Sequence, residues 1–103
     1  MKVAAIGDKI FVSAFTLIGA KGFSVERDED ALHLINKLIE KGGYSMIIVP
    51  ERYVDLTKKL RYKIVAEGKI TPLFAFVPEK GIKKRVQELK NLISSAIGVK
   101  LEL

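Results

Sequence analysis

Apolar and polar positions fall in blocks along this chain, short β-type runs taking turns with stretches of helical period. Val3-Ala4-Ala5-Ile6 is an apolar run stopped by Gly7-Asp8 and predicts a first buried strand. Residues 11–19 place Phe11, Phe15 and Ile18 near one face and predict a short helix, with Asp8 able to cap it. Gly22-Phe23-Ser24-Val25 predicts a brief second strand. From Asp28 to Lys41 the helical period is clearest, with Ala31, Leu32, Ile35, Leu38 and Ile39 on one face. The acidic start Asp28-Glu29-Asp30 suits the positive end of a helix dipole, Lys37 and Lys41 suit the other end, and Gly42-Gly43 stop the helix.

The second half repeats the scheme. Tyr44 to Val49 is apolar except for Ser45, with no alternation, so it predicts a strand covered on both faces as in a parallel sheet. After Pro50, residues 51–66 predict a helix with Tyr53, Leu56, Leu60 and Ile64 on one side, closed by Gly68. Pro72 to Val77 predicts a fourth strand, and Ile82 to Ile97 a last helix with Ile82, Val86, Leu89, Ile93, Ala96 and Ile97 inward. Gly98 ends it and Val99 to Leu103 forms a short tail. Strands separated by helices run parallel, joined by right-handed crossovers that put helices on both faces. The expected fold is therefore an α/β, three-layer, flavodoxin-like doubly wound sheet of four parallel strands in the order 2-1-3-4. Its core should include Ile6, Phe15, Ile35, Leu38, Ile48, Leu60, Phe74 and Leu89.

At 103 residues, 49% hydrophobic and 29% charged, the chain suits one globular domain with its own core rather than a disordered tail. It has no cysteine, which removes disulfides and thiolate chemistry and is compatible with the cytoplasm. No apolar run approaches the roughly 18 to 20 residues that cross a bilayer, and the opening Met1 to Asp8 does not read as a signal peptide. Any membrane association is thus expected through partners. The net charge of +6 is uneven: residues 1–51 carry −1 and residues 52–103 carry +7. A basic half suits nucleic acid, anionic lipid or an acidic protein, or is simply a solvated face.

Ligands of such sheets sit at the carboxyl ends of the strands, where strand order reverses. Here those ends read Gly7-Asp8-Lys9, Pro50-Glu51-Arg52 and Pro78-Glu79-Lys80. Each sets an acid beside a base, which suits acid–base or metal chemistry, yet loop ends are polar wherever they meet water. Gly7 stands alone before an acid, so the first loop is no dinucleotide fingerprint, and no phosphate loop of the G-x-x-x-x-G-K-[ST] type occurs. A receiver domain would need a phosphoacceptor Asp at the end of the third strand, where Val49-Pro50-Glu51 stands instead. His33 is the only histidine and has no cysteine partners for a zinc site. Lys58, Lys59, Arg61 and Lys63, and Lys80, Lys83, Lys84 and Arg85, could meet phosphates, but no nucleic-acid recognition motif accompanies them. Tyr53 and Tyr62 are explained by packing. No convincing catalytic constellation emerges, and a protein whose work is contact is the expectation.

Several stretches, in order and over nearly the whole chain, resemble the F subunit of the archaeal A-type and vacuolar-type (V-type) ATPases. Ala5-Ile6-Gly7-Asp8 followed by Phe15-x-Leu17-x-Gly19 is similar to that family's opening signature. Glu29-Asp30-Ala31, the strand ending Ile47-Ile48-Val49-Pro50-Glu51-Arg52, Pro72 before an apolar strand, Pro78-x-Lys80-Gly81 and Ala96-Ile97-Gly98-Val99 complete the likeness. The resemblance implies a non-catalytic component of the central rotor stalk, without cofactor or metal, peripheral on the cytoplasmic side of a membrane complex. Its implied partners are the coiled-coil D subunit and, through the carboxyl-terminal segment, the catalytic A and B subunits. With them it would couple ATP synthesis or hydrolysis to proton or sodium transport. Glu51, Arg52, Lys58, Lys59, Ile97 and Val99 are the candidate partner contacts, and residues 82–103 the candidate mobile element. A degenerate receiver-like regulatory domain and a basic nucleic-acid-binding module are the alternatives.

Overall fold

The computed structural model describes residues 2–97. Its elements are β1 (Lys2–Gly7), α1 (Lys9–Thr16), β2 (Lys21–Ser24), α2 (Asp28–Lys41), β3 (Tyr44–Pro50), a 3-10 turn (Glu51–Tyr53), α3 (Lys58–Ala66), β4 (Leu73–Val77) and α4 (Ile82–Ile97). The four strands pair in parallel in the order β2-β1-β3-β4. This is the expected doubly wound sheet, with helices on both faces.

The central strands β1 and β3 supply side chains to both faces. Ala4 and Ile6 on β1, and Ile47 and Val49 on β3, join Ala31, Ile35 and Leu38 of α2 in one core. Leu56, Leu60, Phe74 and Phe76 pack against that core from α3, the turn before it and β4. Ala5 and Ile48 point the other way and meet Phe11 of α1, with Phe15, Met46, Ala75 and Val77 around them. This is the period of two expected of strands covered on both faces. Tyr44 breaks the count. It packs with the α2 side although it lies two residues before Met46, which packs with the α1 side. The register explains it: Lys2 pairs with Tyr44 but Val3 with Met46, so Ser45 is an extra residue in a bulge. The Ser45 hydroxyl donates to the Lys2 carbonyl at 3.0 Å across the irregularity.

Two helices differ from the sequence expectation. The first begins at Lys9 and ends at Thr16 rather than spanning residues 11–19, because the Asp8 carboxylate caps it, accepting from the Phe11 N–H at 2.8 Å. The expected continuous helix over residues 51–66 is broken into the 3-10 turn and α3. Thr57, fully buried, donates its hydroxyl to the Tyr53 carbonyl at 2.8 Å, and the Arg61 guanidinium donates to the Val54 carbonyl at 2.7 Å. Such side-chain bonds offer the backbone an alternative to a regular helix.

Of the expected core, Ile6, Ile35, Leu38 and Ile48 are buried, and Phe15, Leu60 and Phe74 are half-buried. Leu89 is the exception, 37% exposed. It sits on α4, which packs beside α1 rather than over the centre of the sheet. Among the described side chains of that helix Val86 is the buried one, and Leu92, further along it, is exposed. Beneath this contact lies an open apolar depression of about 210 Å³ lined by Ala14, Phe15, Val77, Arg85, Val86 and Leu89. The molecule measures 51 × 25 × 18 Å, with a radius of gyration of 14.9 Å. A compact chain of this length would have about 13 Å. The inward assignments of Ile82, Ile93, Ala96 and Ile97 concern side chains outside the described residues.

Candidate functional site

Two surfaces gather the residues singled out above: the carboxyl edge of the sheet, and the flank formed by α3 and β4.

At the carboxyl edge Arg52 is bonded to two acids, while Lys9, Glu51 and Lys80 are exposed. Asp8 is engaged in capping α1. The Arg52 guanidinium donates to Asp28 at the start of α2, at 2.6 Å, and to Glu79 beyond β4, at 3.2 Å. It also lies over the Tyr53 ring, 4.7 Å from its centre. One side chain thus ties three loops together. Partial burial disfavours the Arg52 charge, but the hydrogen bonds to Glu79 and Asp28 outweigh it and leave the guanidinium more basic than usual. Burial pushes the Tyr53 phenol up, with Arg52 pulling in the other direction. Glu51 is exposed and does not pair with Arg52.

The crevice where strand order reverses, between the ends of β1 and β3, offers no phosphate cradle. A Cβ on Gly7 would stand 2.7 Å from the Phe11 ring and 3.3 Å from the Phe11 Cβ. Gly7 is therefore small so that an aromatic side chain can lie against the strand end. Gly22 serves packing in the same way, since a Cβ there would meet Val12 at 2.3 Å and Thr16 at 2.5 Å. Among the described residues, no group of three or more His, Cys, Asp or Glu is placed to hold a metal ion.

The other motif residues have structural places. Phe15 packs on Phe11 with ring centres 5.0 Å apart. Leu17 closes α1, its N–H donating to the Ser13 carbonyl, and Gly19 turns the chain toward β2 with φ of 101°. Pro72 directly precedes β4. Gly98 and Val99 lie outside the described residues, as does the Ile97 side chain.

Residues 3–93 match the profile of the family described as ATP synthase (F/14-kDa) subunit. The chain belongs to this family. The F subunit of the A-type ATP synthase of Methanocaldococcus jannaschii is 32% identical over 105 residues, covering 99% of this chain and 100% of that protein. The A-type F subunit of Thermococcus onnurineus is 32% identical over 108 residues, covering 99% of each chain. The V-type F subunit of Thermus thermophilus is 25% identical over 107 residues, covering 98% of this chain and 100% of that protein. The ATP synthase F-subunit likeness thus runs from end to end, as the motif spacing implies, and makes this chain a component of a rotary ATP synthase assembly.

On the α3 flank of this family member the candidate contacts separate. Lys58 and Lys59 are neighbours in sequence, so their side chains diverge by about 100° around α3. Lys58 lies over the Tyr62 ring, 5.8 Å from its centre. Arg61 lies over Phe76 of β4 at 5.0 Å, and Phe76 stacks on Phe74 with centres 6.1 Å apart. The side of α3 carrying Lys58, Arg61 and Tyr62 therefore borders β4. Lys63, with Asn36 and Glu40, lines the groove toward α2. Tyr62, explained by packing from the sequence, is 63% exposed. The period-based reading missed it because the inner face of α3 is already filled by Leu60 and Ile64. Its exposure beside Val65 marks a surface that periodicity alone does not distinguish from core.

Proposed function

We propose that this chain is the non-catalytic F subunit of the central stalk of an A/V-type ATP synthase. It binds the coiled-coil D subunit and, through its carboxyl-terminal segment, reaches the catalytic A and B subunits. In this role it works on the cytoplasmic side of the membrane, helping to couple ATP synthesis or hydrolysis to ion transport. The observation that carries the reading is the end-to-end likeness to A-type F subunits. The site geometry supports it, because the strand ends that nucleotide-binding sheets leave open are occupied here by Phe11 and by the Arg52 clamp. The same occupancy weighs against a receiver-like reading.

In this reading Arg52 is a positioning residue, since its guanidinium is already engaged within the chain, while Glu51 is free to meet the partner. Lys58 and Lys59 add long-range attraction, which mainly speeds association. The test is binding of the purified chain to the D subunit of the same complex, measured by titration calorimetry and stopped-flow mixing. A one-to-one complex is expected, with association slowed and its salt dependence weakened in Lys58→Glu/Lys59→Glu. No complex at any salt concentration would overturn the reading. So would ATP turnover by the isolated chain that disappears in Asp8→Ala.

A further inference from the structure

The two edges of the sheet are defended unequally. Edge strand β2 has four residues, begins with Lys21 and carries that ammonium over Phe23. Edge strand β4 is Leu73-Phe74-Ala75-Phe76-Val77, without a charge, a proline or a bulge within it. An uncharged apolar edge of this kind calls for a cover. Beside it stands an apolar ridge. Tyr62 and Val65 on α3, then Ile70 and Leu73, are 63%, 72%, 81% and 53% exposed. Val65, Ile70 and Leu73 border an open depression of about 200 Å³. Lys58, Tyr62 and Val65 fall at i, i+4 and i+7, a ridge of the kind that seats in the groove of another helix.

Charge decides what that helix carries. The side of α3 that borders β4 carries Lys58 and Arg61, and the nearby Glu67 is already paired with Lys69 at 3.2 Å, so this surface is positive. A second copy of this chain would bring two such surfaces together, and like charges oppose that pairing. An acidic partner is favoured instead.

We propose that the β4 edge and the α3 ridge form the docking surface for a helical coiled coil whose apolar stripe is flanked by acidic side chains. The inference rests on the central-stalk reading above and names the face that the D subunit covers. Tyr62, Val65 and Ile70 are its apolar anchors, and Lys58 steers the approach. Large, well-packed apolar and aromatic anchors carry most of the affinity in such contacts.

The experiment measures affinity for the purified D subunit with three forms of the full chain: wild type, Val65→Asp/Ile70→Asp, and Ile18→Asp. Ile18 is 76% exposed just after α1, on the other side of the sheet from α3, and serves as the control. All three positions are exposed, and circular dichroism with thermal melting checks that each form folds alike. The expected result is a loss of about 100-fold or more in the double variant and affinity within about twofold of wild type for Ile18→Asp. If the wild type binds the D subunit and the double variant binds equally well, the surface is wrong while the central-stalk reading stands. If the wild type does not bind the D subunit, both fall. Sedimentation of the isolated chain covers the remaining occupant: a dimer abolished in the double variant would give this face to a second copy and overturn the proposal.

Discussion

The two faces of the sheet are built to different standards. On the α2 and α3 side, Ala31, Ile35, Ile47 and Val49 are sealed completely, and two helices lie over the central strands. On the α1 and α4 side the core is Ala5, Phe11 and Ile48, and α4 adds Val86 across an open depression. The difference teaches where this fold keeps its stability and where it can yield. Among the described side chains α4 rests on Val86 beside unfilled space and should open more readily than α2, which cannot leave without exposing the centre of the sheet.

Neighbouring residues of β3 test this most directly. Ile47→Ala should cost about 4 kcal/mol, and Ile48→Ala about 2, since Ile47 is sealed completely while Ile48 keeps a small exposed part on the less covered face. Urea unfolding of both variants measures it, and equal losses would erase the distinction between the faces. Amide exchange sharpens it further: residues 84–92 of α4 should exchange by local opening well below the global unfolding free energy, and residues 31–38 of α2 only near it. Arg52→Ala should cost about 1 kcal/mol, because its two ion pairs are partly exposed and screened by water. Its larger signature should be faster exchange at the start of α2 and around Glu79.

The smallest effect is alkaline. The Tyr53 phenol is raised in the folded chain, so its contribution is complete below its ordinary value near pH 10 and is lost as pH rises from there through the folded value. Tyr53→Phe should flatten the part of the stability profile that lies above about pH 10. An unchanged alkaline limb in the variant would show that burial of this phenol is not what sets it.

The sequence carries most of this architecture openly, because unbroken apolar runs and helical periods are strong signals. The bounds of α4 and α2 follow from them directly. What stayed hidden has local physical causes. The bulge at Ser45 leaves no trace in a run that is apolar on both sides. The break before α3 depends on where the Thr57 hydroxyl and the Arg61 guanidinium send their hydrogen bonds. Leu89 sits on the apolar face of its helix, but α4 packs beside α1 and leaves it exposed, and Tyr62 stands outside an inner face already filled by Leu60 and Ile64. At the candidate site, the sequence marks Arg52 by its motif but not its reach to Asp28 and Glu79, residues 24 and 27 positions away.

The fit of Phe11 over Gly7 has an evolutionary corollary. The two positions behave as one unit of volume: a methyl group added at 7 must be taken from the ring at 11. Each change alone meets a barrier, a clash in one order and a void in the other, so lineages should either keep the pair or exchange both. A homologue carrying alanine at the first position ought to show a smaller side chain four residues later. Substituting one site in the background of the other should reveal sign epistasis in melting temperature.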